Sequence, residues 1–159
     1  MTDTELEMAD SEQHDAQIVI HAAAHDDLPS IIQIDSCASG EPKPDFWREC
    51  YERQDTDSGS TFIVAKSGDA VAGYAIGSIK TWEFGAPTCG WVETIIVAPE
   101  FRGRGVGTRL FDSVVDYFKA SGISTVRTML HIDDYALMSF FRIQGMSAGP
   151  FIELEMRSD

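Results

Sequence analysis

The sequence predicts one α/β domain built around a single mixed sheet, and three observations carry that prediction. Short β-like runs and amphipathic helical runs alternate in the order strand, two helices, three strands, helix, strand, helix, strand. A turn signal, Ser67-Gly68-Asp69, joins two of the β-like runs as a hairpin. A glycine-rich stretch, Arg102-Gly103-Arg104-Gly105-Val106-Gly107-Thr108, separates an apolar strand-like run from the most regular helical one. A chain of 159 residues is long enough to bury a substantial core in one such domain.

Taken in order, residues 1–15 hold six acids, no Lys or Arg and few large apolar side chains, which predicts a disordered acidic tail. The folded domain spans residues 16–157 and opens on the β-like run Ile18-Val19-Ile20. Asp26 or Asp27 is placed to cap a helix whose apolar positions Leu28, Ile31, Ile32 and Ile34 have helical spacing. Gly40, Pro42 and Pro44 interrupt it, and Asp45 is placed to cap a second helix through Phe46, Trp47, Cys50 and Tyr51. Strands follow over residues 61–65, 71–82 and 90–97, the last entered through Gly85-Ala86-Pro87 and ended by Pro99. From Gly105 a long helix aligns Val106, Leu110, Val114 and Phe118 on one face until Gly122 stops it. Residues 125–132 read as a strand, 135–144 as a helix and 151–156 as a final alternating strand.

Charge and cysteine usage narrow the function classes. The net charge is −14, and the 20 acids outside the tail face 12 bases, which leaves the body at −8. Such a surface disfavours nucleic acid and anionic membranes as partners and attracts cationic amines, although acidity also serves solubility alone. No apolar run approaches the roughly 20 residues needed to span a bilayer, and the acidic N-terminus is unlike a signal peptide. Cys37, Cys50 and Cys89 are odd in number and lack C-x-x-C spacing, which points to reduced thiols in a cytoplasmic protein and to no metal site. His21, His25 and His131 have no metal-ligand spacing, and His14 belongs to the tail.

The glycine turn is the chemical centre of the sequence. Between a strand and a helix, glycines let successive backbone N–H groups converge, and the helix N-terminus adds positive potential, so the turn suits a phosphate or diphosphate. A P-loop would need Gly-Lys-Ser/Thr where Thr108-Arg109 stand, and a dinucleotide fingerprint needs G-x-G-x-x-G. In this context Arg102, Gly105 and Gly107 match the Gln/Arg-x-x-Gly-x-Gly/Ala motif of the GCN5-related N-acetyltransferases, and Pro99-Glu100-Phe101 match the strand exit before it. The chain resembles that family from Gln17 to Met156, including a subgroup with a Phe-Gly-x-Pro entry to the fourth strand, here Phe84-Gly85-Ala86-Pro87.

The resemblance implies the acyl-CoA N-acyltransferase fold, with a mostly antiparallel central sheet flanked by helices, and acetyl-CoA as cofactor. It implies that Ile95, Ile96 and Val97 hydrogen-bond the pantetheine arm as a pseudo-strand, while Arg102, Gly103, Arg104, Gly105, Val106, Gly107 and Thr108 wrap the diphosphate. The N–H near Ile96 or Val97 would polarise the thioester carbonyl, and Arg104 and Arg109 would screen phosphates, with a solvated role equally open to Arg109. Period-two alternation puts Trp91, Glu93 and Ile95 on one strand face, and the resemblance, whose members often place a base hereabouts, implies Glu93 as the candidate base for an amine, with Trp91 a cavity wall; a solvated or salt-bridged carboxylate is the alternative for Glu93.

One departure from the family pattern is chemical. Members commonly carry Asn-x-x-Ala-x-x-x-Tyr-x-x-x-Gly-Phe, whose tyrosine protonates the leaving thiolate. Registered on Gly145, this chain has Asp134, Leu137, Phe141 and Met146, and Phe141 has no proton to give. Asp134 and Phe141 are therefore carried over as cofactor contacts, and Tyr135 is the neighbouring hydroxyl. Acceptor choice is expected from the two N-terminal helices and the 82–88 loop, where Glu41, Asp45, Glu49 and Glu83 could hold a cationic amine. The expected activity is acetyl transfer to a primary amine, of a small molecule or a peptide, by direct attack in a ternary complex. A non-catalytic acyl-CoA-binding sensor or partner module is the alternative, and dimerisation, common in the family, is left open.

Overall fold

β-Branched and apolar residues alternate from Ile18 to Ala22, and this stretch forms the first strand, β1, at one edge of the sheet. The computed structural model describes residues 17–158, so the predicted tail over residues 1–15 lies outside the described residues. Helices α1 (Leu28–Ser39) and α2 (Pro44–Thr56) follow, then strands β2 (Ser60–Ser67), β3 (Ala70–Lys80) and β4 (Cys89–Val97). Helix α3 (Val106–Ala120), strand β5 (Val126–Thr128) and helix α4 (Tyr135–Ile143) complete the order. The sheet runs β1-β2-β3-β4-β5, antiparallel throughout except for the parallel pair β4 and β5.

The two faces of the sheet carry different cores. α1 and α2 cover one face, where Ile31 and Trp47 pack against Phe62, Val64 and Tyr74. α3 covers the other, where Val106, Leu110, Val114 and Phe118 lie on Ala65, Ala72, Ala75 and Val92. The second face is lined by small residues because α3 sits almost on the strands. A Cβ built on Gly77 would lie 2.6 Å from Val114 Cγ1, and one on Gly90 would lie 2.4 Å from Phe118 Cδ2. Glycine inside a strand is here a device for close approach.

Several local expectations are corrected. Asp45 does not cap α2; Lys43 holds that position, Pro44 opens the helix and Asp45 pairs with Arg48 at 2.7 Å. Asp27 stands at the N-cap of α1 without capping it. Its buried carboxylate instead accepts the Ala24 N–H at 2.8 Å and binds Lys66 Nζ at 2.6 Å, joining the helix entrance to β2. The strand expected over residues 125–132 shrinks to Val126–Thr128. The final strand expected over residues 151–156 joins no sheet: Phe151 lies under the Arg127 guanidinium, 5.0 Å from its carbon, and Ile152, Leu154 and Met156 face solvent. Its alternation is a valid strand pattern, but a pattern supplies no neighbour to bond.

Candidate active site

β4 and β5 pair only from Gly90↔Val126 to Val92↔Thr128, after which β4 continues without β5 to Val97. Two features part them. The β3–β4 register shifts at Ile76/Gly77, so Thr94 faces Ile76 while Val92 faces Gly77, and Glu93 is the extra residue of a β-bulge. The Thr128 hydroxyl then donates to Val92 O at 2.9 Å, so a side chain takes an acceptor at the last paired position.

The open edge has a definite polarity. Ala98 N–H donates to Ala72 O at 2.8 Å, so by two-residue alternation Ile96 also spends its main-chain groups on β3. Ile95 and Val97 therefore present theirs to the open side, and Arg102 Nε–H already donates to Val97 O at 3.3 Å. Of the three residues expected to line this edge, Ile96 is turned away. The bulge also corrects the expected common face of Glu93 and Ile95. Val92, Ile95 and Val97 pack with the α3 core, whereas Ile96 packs with the α1–α2 core and Glu93 bonds Ser78 beside it.

The turn beyond β4 starts with one 3-10 turn, Pro99–Phe101. Gly103 and Gly105 both have φ of +75°, a left-handed backbone that favours glycine, and open space surrounds the Cβ position of each. Gly105 is the N-cap of α3 and offers no side-chain acceptor, and the first ladder bond runs from Arg109 N to Gly105 O at 3.1 Å. The N–H groups of Val106, Gly107 and Thr108 thus precede the ladder, at the positive end of a 15-residue helix. This is the donor set a diphosphate needs, and the residues present fit one.

Neighbouring side chains have structural engagements. Arg104 lies over the Phe101 ring, 5.6 Å from its centroid. Arg109 Nη1 donates to Ile18 O and ties α3 to β1. Thr108 Oγ1 accepts from Gln144 Nε2 at 3.1 Å. Asp134 caps α4, its carboxylate accepting the Leu137 N–H at 3.0 Å. Phe141 is only 4% exposed and packs on Phe111 at 6.0 Å, in the core. It is Phe140 that reaches the turn, close enough for a Cβ on Gly107 to meet its ring at 3.2 Å. Tyr135, the first residue of α4, is exposed.

On the α1–α2 face, Glu93 Oε1 accepts the Ser78 hydroxyl at 2.6 Å and lies 3.8 Å from Lys80 Nζ. The Trp91 indole N–H is buried without a hydrogen-bond partner among the described residues. Burial pushes the Cys50 thiol up; Arg53, donating to its sulfur at 3.2 Å, opposes that rise, and the charges of Glu93 and Glu49 add to it. Sequence reasoning missed Ser78 and Lys80. Their signal was the i, i+2 spacing that puts both on one face of β3, opposite Trp91 and Cys89. Of the predicted acidic residues, Glu83 meets this cluster through Lys80 at 3.7 Å, while Glu49 lines a separate groove on α2 with Phe46, Glu52, Arg53 and Thr56. Among the described residues no three His, Cys, Asp or Glu side chains gather into a metal site, and no helix is long and apolar enough to cross a membrane.

Comparison with known proteins places this geometry. The family model described as Acetyltransferase (GNAT) family matches residues 28–146. A Mycobacterium leprae protein of uncharacterised function is 27% identical over 99 residues, 60% of this chain, and the match spans a quarter of that protein's length. Among solved structures, AAC(6')-Iy in complex with a CoA-S-monomethyl-acetylneamine bisubstrate analogue superposes with a TM-score of 0.77 at 15% identity, covering 90% of this chain and 99% of that one. Glucosamine-6-phosphate N-acetyltransferase from Arabidopsis thaliana superposes with a TM-score of 0.70 at 18% identity, covering 90% and 99%. A transcriptional regulator from Bacillus halodurans gives 0.76 at 18%, covering 89% and 100%. At these identities the likeness shows the fold.

Proposed function

The chain belongs to the acetyltransferase (GNAT) family, and from that premise we propose that it moves the acetyl group of acetyl-CoA to a primary amine by direct attack in a ternary complex. The observation that carries the reading is the coincidence of two features at one corner: the edge of β4 left open by β5, and the amide-rich turn that opens α3. One suits an extended amide-bearing arm, the other a diphosphate, and CoA carries both in sequence.

In this reading the thioester supplies the activated acetyl group. The N–H groups of residues 103–108 hold the diphosphate, and the Ile95 and Val97 main chain pairs with the pantetheine arm. The Val97 N–H, on the open side, polarises the acyl carbonyl where charge develops. Glu93 takes the proton from the incoming ammonium, and the Ser78 hydroxyl holds its carboxylate in place. The amine nitrogen bonds to the acyl carbon as the C–S bond breaks. The thiolate leaves without a side-chain acid at position 141, where Phe141 is buried. Holding both reactants together supplies much of the rate, which makes the missing acid tolerable. Acidic side chains near the site favour a cationic acceptor, and the free thiols agree with a cytoplasmic protein.

A second reading, a non-catalytic acyl-CoA-binding module, is favoured by Phe141 alone. A thiol-release assay over a panel of small amines and peptides separates the two, run beside calorimetry with acetyl-CoA. Turnover on any amine supports the enzyme; tight binding with no turnover on any acceptor supports the module.

A further inference from the structure

Lys80, the last residue of β3, carries its ammonium into the region where the proposed acceptor enters. Nζ lies 3.7 Å from Glu83 Oε2, 3.8 Å from Glu93 Oε1 and 5.5 Å from the centroid of the Trp91 ring. Two carboxylates from different elements and an aromatic face around one ammonium form a receptor for an alkylammonium group. The fit is loose. Both ion contacts exceed the roughly 2.7–2.9 Å of a charge-assisted hydrogen bond, so the cation is attracted without being locked. Lys66 shows what a locked pair looks like in this protein, at 2.6 Å from the buried Asp27 carboxylate.

The third wall of this receptor is held by a strained backbone. Trp82 and Phe84, flanking Glu83, have φ of 61° and 51°, a left-handed conformation that bulky residues rarely adopt. The turn fixes Glu83 at the mouth while both flanking rings remain exposed. Glu93, opposite, is the extra residue of the bulge and owes its position to it. The bulge and the strained turn thus aim two carboxylates at one point, and a flexible lysine arm fills it.

We infer that Lys80 is a resident surrogate for the acceptor: its ammonium occupies the subsite between Glu83 and Glu93, over Trp91, that a primary alkylammonium takes on binding, and the acceptor must displace it. The inference rests on the reading of Glu93 as the base. It names the acceptor class as a primary amine on an unbranched alkyl arm, whose ammonium lies over the indole as that of Lys80 does. Lys80 in turn acts as a specificity gate, because a neutral or bulky amine cannot compete for the two carboxylates.

Removing the arm tests this directly. Lys80→Ala deletes the atoms of one propylammonium group, so n-propylamine is the complementing probe. In the transfer the ammonium first loses one proton through Glu93 to solvent; its nitrogen then bonds to the acyl carbon, the C–S bond breaks, and the second proton that the nitrogen sheds ends on the departing thiolate, so that CoA is released as the thiol. Lys80→Ala should form N-propylacetamide from n-propylamine and acetyl-CoA with a kcat/KM about two- to fivefold above the unaltered protein, the worth of one half-exposed ion pair. The gain should lie in KM. Lys80→Arg keeps the charge and should show no gain, and acetyl-CoA affinity by calorimetry should match in all three proteins. No gain in a Lys80→Ala protein that still binds acetyl-CoA, or an equal gain in Lys80→Arg, overturns the inference while leaving the acetyltransferase reading intact. Failure of the unaltered chain to bind acetyl-CoA overturns both. Should Lys80→Ala lack a cooperative melting transition, Lys80→Gln is judged by the same criterion.

Discussion

Gly90 offers a quantitative test of how the helix that follows the glycine turn is seated. A Cβ at this position would lie 2.4, 2.5 and 2.6 Å from Phe118 Cδ2, Cγ and Cε2, inside the distance any real contact tolerates. Phe118 is wholly buried, and its ring also overlies Gly77, so its place depends on two missing side chains. Gly90→Ala therefore forces the ring, or the end of α3, off the sheet. Overpacking of this kind costs about 1–3 kcal/mol, and the reduced freedom of the unfolded chain returns about 0.4–1 kcal/mol. At mid-range the net loss is about 1.3 kcal/mol, and at about 2–4 °C per kcal/mol for a chain of this size the melting temperature should fall by about 3–5 °C in thermal circular dichroism. Phe118→Leu removes the obstructing ring, so the double variant should lose less than the sum of the single variants, by more than about 0.5 kcal/mol. Acetyl-CoA affinity should be retained, because Phe118 sits about 18 Å along the helix from Val106 at a rise of about 1.5 Å per residue. An unchanged melting temperature in Gly90→Ala, or strict additivity in the double variant, would refute the close-approach argument.

Three further outcomes are expected. Gly105→Glu places a carboxylate and a side chain in a left-handed backbone at the helix N-terminus, and calorimetry should find acetyl-CoA binding abolished; unchanged affinity would dismiss the turn as the diphosphate site. Glu93→Gln should lower turnover at neutral pH with little change in acetyl-CoA affinity, and rates equal to the unaltered protein across the pH range would exclude Glu93 as base. Asp27→Ala strips Lys66 of its partner and the Ala24 N–H of its acceptor, and chemical denaturation should show a loss of about 1–3 kcal/mol; the loss stays in that range because Lys66 keeps 27% of its side chain in solvent.

Much of the architecture was legible because it rests on local signals. The helical spacing of Val106, Leu110, Val114 and Phe118 marks the buried face of α3, and the turn at Gly68 closes the β2–β3 hairpin. The glycine turn was legible as chemistry because a left-handed backbone at Gly103 and Gly105 is written directly in residue type. What stayed hidden depends on partners distant in the chain. No local pattern shows that Lys66 will claim Asp27 from its helix cap, or that Arg109 will reach Ile18 O on β1. Nor does alternation over residues 151–156 reveal that their main chain finds no strand to bond.

The bulge at Glu93 is the most consequential of these hidden features, because one extra residue reverses every facing after it. Counted by twos from Trp91, Glu93, Ile95 and Val97 share the α1–α2 face, away from the α3 core. The inserted residue sends Ile95 and Val97 to that core and leaves Glu93 with Trp91 on the α1–α2 face, where Ser78, Lys80 and Glu83 converge. The same insertion turns the Ile95 and Val97 main chain towards the edge where β5 has ended. The irregularity that defeats simple counting from Trp91 is thus what turns Ile95 and Val97 to the α3 core while Glu93 stays with Trp91 on the opposite layer.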